Sequence, residues 1–170
     1  EDAQLAGLLI TNGEFVGRWS SKDSVGVEIA ETCGPGKVNL ANCAFWGPLD
    51  MALWSRSSHA QLAVTNTNFC QWDINGTGSP AVRLDAGKAT LQGNIFDDGQ
   101  LHVAVNEEMG TTILMGNLGE GGLRVENHAG ARTQLIGNEQ GYVSFLSALH
   151  LHGAISQIPA TIQIAIDRGG

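Results

Sequence analysis

The sequence predicts an all-β fold, a right-handed single-stranded parallel β-helix of about six coils. Three observations carry that expectation. First, six segments share one pattern: a short apolar run, a turn residue and, in four of the six, a Phe three positions later. Second, the turn residues are only Asn or Gly, the two types that enter left-handed backbone most easily. Third, the runs between these segments alternate apolar and polar side chains with period two, and no helical periodicity of useful length occurs.

The six segments are I-T-N-G-E-F (10–15), L-A-N-C-A-F (40–45), V-T-N-T-N-F (64–69), L-Q-G-N-I-F (91–96), L-M-G-N-L-G (114–119) and L-I-G-N-E-Q (135–140). Their turn residues are Asn12, Asn42, Asn66, Gly93, Gly116 and Gly137, spaced by 30, 24, 27, 23 and 21 residues. Drifting spacing fits stacked units that share one rung while their connections vary in length. Asn94, Asn117 and Asn138 follow a Gly in the same register, where stacked amides can bond to one another and to the backbone. A second family of short runs separates the rungs: Val25–Ala30, Ala52–Arg56, Ala81–Asp85, His102–Asn106 and Leu123–Asn127. Each repeat therefore holds at least two short strands. An antiparallel sandwich is the competing architecture, and N-G turns at Asn12 and Asn75 are its support.

Composition narrows the class further. Of 170 residues 23 are Gly, only 15% are charged and 42% are hydrophobic, which suits one domain with a real core. No run of about 18 apolar residues offers a transmembrane span, and no basic segment followed by an apolar run opens the chain. A net charge of -8 with nine cationic residues argues against nucleic-acid binding. The whole chain, 1–170, reads as one β-helix domain. Residues 142–170 are its C-terminal cap, closing with the alternating T-I-Q-I-A-I at 161–166 after Pro159. At the other end Leu5–Ile10 has no expected partner, so self-association through uncapped ends is anticipated.

The segments V-N-L-A-N-C-A-F-W-G-P (38–48), A-V-T-N-T-N-F-C-Q-W-D (63–73) and A-T-L-Q-G-N-I-F-D-D (89–98) resemble the pectate-lyase-like superfamily of right-handed parallel β-helices. The likeness is closest to glycoside-hydrolase-28-related, polygalacturonase-like bacterial proteins and covers roughly 5–138. It implies the pectin-lyase fold, a polysaccharide context and a secreted, periplasmic or cell-surface location. Enzymes of that type usually have about twice as many coils, so the resemblance implies a C-terminal part of a longer helix or a shortened relative. The family's N-T-D, G-H-G, R-I-K and R-x-P-x-x-R motifs are missing. Only the D-D pair, Asp97-Asp98, is present, so no catalytic residue is carried over.

Alternation along the second family of runs predicts which side chains face out. Val27, Leu53, Val82, Val103 and Leu123 point inward in one row. Glu28, Trp54, Arg83, Ala104 and Arg124 form the neighbouring outward row. Two residues on, Ala30, Arg56, Asp85, Asn106 and Glu126 form a second outward row. With strands about 4.8 Å apart, Glu28, Trp54, Arg56, Arg83 and Asp85 make one patch. A Trp flanked by Arg and carboxylates suits a sugar site, because the ring packs on a pyranose face and the charges bond hydroxyls or uronates. The same residues also suit plain cross-strand ion pairs, with Trp54 covered by 57–60.

A second grouping follows the Phe column: Trp46 and Asp50, then Trp72 and Asp73, then Asp97 and Asp98. Paired carboxylates can serve glycoside cleavage or bind Ca2+ through oxygen ligands. Their alternative role is capping turns while Trp46 and Trp72 stack on each other. No metal site is expected, since His150 and His152 share a strand face without a third ligand. No other cofactor is implied. Cys33, Cys43 and Cys70 are an odd number, read as free thiols with Cys43 in the core, with a Cys33–Cys43 or Cys33–Cys70 bridge as the alternative in an exported protein. The expected function is a carbohydrate-active β-helix, related to polysaccharide hydrolases and lyases, acting on a poly- or oligosaccharide. A non-catalytic binding or structural module is the alternative, and a phage or surface adhesin shaft a third.

Overall fold

The computed structural model describes residues 7–17, 23–98, 100–140 and the backbone of 143–144. Each coil carries three short strands. The first coil has β1 (Leu8–Thr11), β2 (Glu14–Val16) and β3 (Val25–Ile29); the second has β4 (Gly36–Ala41), β5 (Ala44–Trp46) and β6 (Met51–Ser55). The third has β7 (Ala60–Thr65), β8 (Asn68–Cys70) and β9 (Val82–Leu84); the fourth has β10 (Gly87–Gln92), β11 (Ile95–Phe96) and β12 (Val103–Val105). The fifth has β13 (Met109–Met115), β14 (Leu118–Gly119) and β15 (Val125–Asn127), followed by β16 (Thr133–Ile136) and β17 (Val143–Ser144).

Strands stack only on their counterparts one coil away. They form a first sheet β1-β4-β7-β10-β13-β16, a second sheet β2-β5-β8-β11-β14 and a third sheet β3-β6-β9-β12-β15-β17. All described pairings are parallel, which makes the molecule a parallel β-helix and removes the antiparallel sandwich. Ile10, Leu40, Val64, Leu91, Leu114 and Leu135 lie opposite one another in turn, matching the sequence spacing step for step. One expectation is corrected at the first coil: β1 is not unpartnered, because Leu8–Thr11 pairs with Val38–Ala41. The cap assigned to 142–170 lies outside the described residues except for β17, which pairs with β15. His150 and His152 lie outside them too.

The corner after each first-sheet strand fixes the stacking. Asn12, Asn42, Asn66, Gly93, Gly116 and Gly137 have φ of 54°, 53°, 47°, 64°, 62° and 57°. Only Gly, and Asn at modest cost, hold that left-handed conformation without a steric penalty. The next position carries a ladder of side chains. The Asn94 amide nitrogen donates to Val64 O (3.1 Å) and to Asn117 Oδ1 (2.9 Å). Asn117 repeats this onto Leu91 O and Asn138 Oδ1, at 2.9 Å each. In the other direction the Thr67 N–H donates to Asn94 Oδ1 (3.0 Å), and the Cys43 N–H donates to Thr67 Oγ1 (3.4 Å). Asn94 and Asn117 are fully buried, so these bonds satisfy groups that water cannot reach.

Inside, Phe15, Phe45, Phe69 and Phe96 stack with centroids 4.5–5.1 Å apart and planes within 11°. Each ring contributes about 0.5–1.5 kcal/mol beyond its buried area. The column then changes chemistry. Gly119 occupies the next Phe position, and the His102 ring stacks on Phe96 at 5.2 Å instead. A Cβ at Gly119 would sit 2.4 Å from the His102 ring, so the missing side chain is what admits the imidazole. His102 is fully buried. Its Nδ1 accepts the Arg124 N–H (2.9 Å) and its Nε2 lies 2.7 Å from Asp98 O. That pairing requires the neutral ring with the proton on Nε2. Burial, helped by the nearby Arg124 charge, holds its pKa below the usual 6.5.

Two expected outcomes follow from this interior. Asn117→Ala removes the partners of the Asn94 N–H and the Leu91 carbonyl and lowers unfolding free energy by about 2–4 kcal/mol in urea titrations. Asn117→Thr loses less, because Thr67 already fills the same column. His102 carries more protons unfolded than folded below about pH 6.5. Stability is therefore held above that pH and falls as the pH drops towards the lowered folded value. His102→Phe keeps the stack but flattens this acid slope in thermal melts between pH 8 and pH 5.

Candidate functional site

The outward face of the third sheet carries the predicted patch. Glu28, Trp54 and Arg83 lie opposite one another on β3, β6 and β9, followed by Ala104 on β12. The row then continues to Glu126, because Val103 pairs with Val125. The expected outward Arg124 is thus corrected by two residues; the inward-outward alternation is right, but the register of the fifth coil is shifted. The second row runs Arg56, Asp85, Asn106 and His128. The sequence reading missed His128 for the same reason; aligning V-E-N-H of 125–128 with V-A-V-N of 103–106 recovers it.

Asp85 is the hub of the patch. It accepts from Trp54 Nε1 (2.7 Å), Arg83 Nε (2.8 Å) and Asn106 Nδ2 (3.3 Å). Partial burial pushes its pKa up, but the bonds from Arg83, Trp54 and Asn106 outweigh this and hold the carboxyl below its ordinary value. Arg56 bonds Glu28 (3.1 Å) and Glu31 (3.2 Å). The guanidinium carbons of Arg56 and Arg83 lie 4.7 and 5.3 Å from the Trp54 ring centroid. Cations already occupy the aromatic surface that a pyranose would use. The Arg56 and Arg83 guanidinium groups cover it.

Next to this network lies an open cleft of about 550 Å³, within the range of small-ligand sites. Its floor is Arg83, Asp85, Ala104, Asn106, Glu126 and His128 on the outer face of β9, β12 and β15. Thr77–Pro80 form one wall and Glu107 stands at the other side. His128 Nε2 lies 2.6 Å from Glu126 Oε1. The wall is held by two carboxylates below it. Asp73 accepts from the N–H groups of Thr77 (2.8 Å) and Gly78 (3.0 Å), and Asp50 accepts from Asn75 Nδ2 (3.0 Å) and Ser79 Oγ (3.2 Å).

The second grouping does not assemble as a site. Asp73 is buried as a turn acceptor, in the turn-capping role that was the alternative to catalysis. The Asp98 carboxylate accepts the Gln71 N–H, and Asp97 Oδ2 lies 3.6 Å from Cys70 Sγ. Both lie where the second sheet ends, and neither lines the cleft. Trp72 is only 2% exposed and donates to Leu101 O (3.0 Å), so it is a core residue and not a sugar platform. It packs edge-on against Phe96 and His102 instead of stacking on Trp46. Trp46 is 49% exposed, but on the second sheet, aligned with Cys70 and away from the Trp54 patch.

Among the described residues, no three His, Cys, Asp or Glu side chains converge as a metal-binding group. The carboxylates considered for Ca2+ act as hydrogen-bond acceptors. Cys33, Cys43 and Cys70 are free thiols, and Cys43 is buried as expected. Burial, then the Asp97 charge, pushes the Cys70 thiol up to about 11, far from a reactive thiolate. No family model, curated protein or solved structure matches the chain.

Asp85→Ala is expected to free Arg83 and Trp54 together. A red shift of tryptophan emission and a loss of about 1–2 kcal/mol in chemical unfolding would report it, since charge-assisted bonds at a partly exposed site keep only part of their strength.

Proposed function

We propose that this β-helix is a carbohydrate-binding module that lays an oligosaccharide in the cleft on its third sheet. The observation that carries the reading is the cleft floor itself. Side chains from three parallel strands present alternating donors and acceptors around the small Ala104, an arrangement that suits a row of sugar hydroxyls. A solenoid repeats this presentation at about 4.8 Å per strand, so an extended chain can meet equivalent positions in succession. The resemblance of the rung segments to polygalacturonase-like proteins implies a polysaccharide context, without specifying the sugar. Recognition here rests on hydrogen bonding, because the Trp54 ring is engaged by arginines.

A hydrolase or lyase reading has one specific observation behind it: the Glu126–His128 pair beside Glu107. A bonded carboxylate and imidazole can move a proton at a glycosidic oxygen or at a carbon next to a uronate.

Binding is tested by isothermal titration of oligosaccharides against the wild type and Ala104→Tyr, which fills the floor without removing a bonding group. The expected result is a loss of at least tenfold in affinity with an unchanged melting temperature. Unchanged affinity in the filled variant would move the site elsewhere. Release of reducing ends or unsaturated products, abolished in Glu126→Gln, would favour the enzyme over the module.

A further inference from the structure

The charges of the cleft narrow the ligand class. We infer that the cleft takes uncharged oligosaccharides and discriminates against uronate-bearing ones; this rests on the cleft being the glycan site. Arg83 is the one cationic side chain lining the cleft among the described residues, and its Nε is bonded to Asp85. Its guanidinium also lies against the Trp54 ring. Arg56, the nearest other cation on this face, is held by Glu28 and Glu31 and does not line the cleft.

Against Arg83 stand Asp85, Glu107 and Glu126. Asp85 balances Arg83. Glu107 and Glu126 remain, and Glu126 Oε1 lies 2.6 Å from His128 Nε2. The cleft therefore presents three carboxylates against one guanidinium in a partly enclosed space, where screening is weaker than on open surface. A carboxylate on each sugar would meet these charges with only the Nη groups of Arg83 to receive it. Sugar hydroxyls face no such penalty, since they can donate to the carboxylates and accept from the amide and guanidinium N–H groups.

Asn106 and Ala104 strengthen the case. They occupy the centre of the floor, where a uronate reader would place Arg or Lys. Asn106 spends one donor on Asp85 and keeps its carbonyl on the Glu107 N–H, so it anchors the rim.

The test compares neutral hexaoses, such as cello-, xylo- and malto-oligosaccharides, with oligogalacturonates of equal length, titrated at low and high salt. The expected result is that at least one neutral series binds and the uronate series binds at least tenfold more weakly at low salt. The gap should narrow at high salt and in the double variant Glu107→Gln, Glu126→Gln. Uronate binding equal to or tighter than neutral binding, lost in Ala104→Tyr, would overturn the inference while keeping the cleft as the site. If no oligosaccharide of either kind binds, or Ala104→Tyr leaves binding intact, the cleft reading falls and the charge selectivity falls with it.

Discussion

Everything in this molecule depends on one backbone event repeated six times: the chain turns through left-handed φ after each first-sheet strand. The turn places the following side chain under the corner, pointing back at the strand carbonyls. Where that side chain is Asn, it bonds along the stack and across to the strand at once. The result is a column of buried amides in which each member completes the hydrogen bonding of its neighbour. Register, coil spacing and the Phe column all follow, because once the corners are aligned the residues three positions later are aligned as well.

The column is not uniform, and its variation is informative. Gly13 and Cys43 occupy the ladder position in the first two coils, then Thr67, then three Asn. The thiol of Cys43 mimics the pattern weakly, reaching Ala41 O at 3.4 Å and Ile10 O at 3.7 Å. The strongest cross-coil bonding therefore lies in the later coils. The aromatic column runs the other way: four Phe rings occupy the earlier coils and give way to His102 and Gly119. Dispersion and hydrogen bonding thus divide the length of the solenoid between them, with a neutral imidazole at the junction that serves both.

The frame was legible because its signals are local. Asn12, Asn42 and Gly93 announce their conformation by residue type alone, and the Phe residues follow at fixed offset. The candidate site was legible only in part. Glu28, Trp54, Arg83 and Asp85 were placed together because their strands have clear alternation and their register happens to follow the obvious alignment. Glu126 and His128 were displaced because L-R-V-E-N alternates equally well in two registers two residues apart, and only stacking chooses between them. Trp72 could not be read as core from its neighbours: it lies past a left-handed Gln71, where alternation no longer says which way a side chain points. The cleft itself was invisible, since its wall comes from a loop whose path depends on Asp73 accepting bonds within it and on Asp50 accepting them from the neighbouring coil.

That wall has a consequence for how such a molecule can vary. The connection from Cys70 to Val82 spans 71–81, whereas Trp46 joins Met51 through 47–50 and Phe96 joins Val103 through 97–102. Gln71, Asp73, Ile74 and Ala81 bond across coils through their backbone, whereas 75–80 between them reach the neighbouring coil only through side chains onto Asp50. Insertions or deletions there would reshape the mouth of the cleft and leave the frame in register. A stack of this kind separates inheritance of shape from inheritance of specificity: relatives can share every corner and still differ in what they hold.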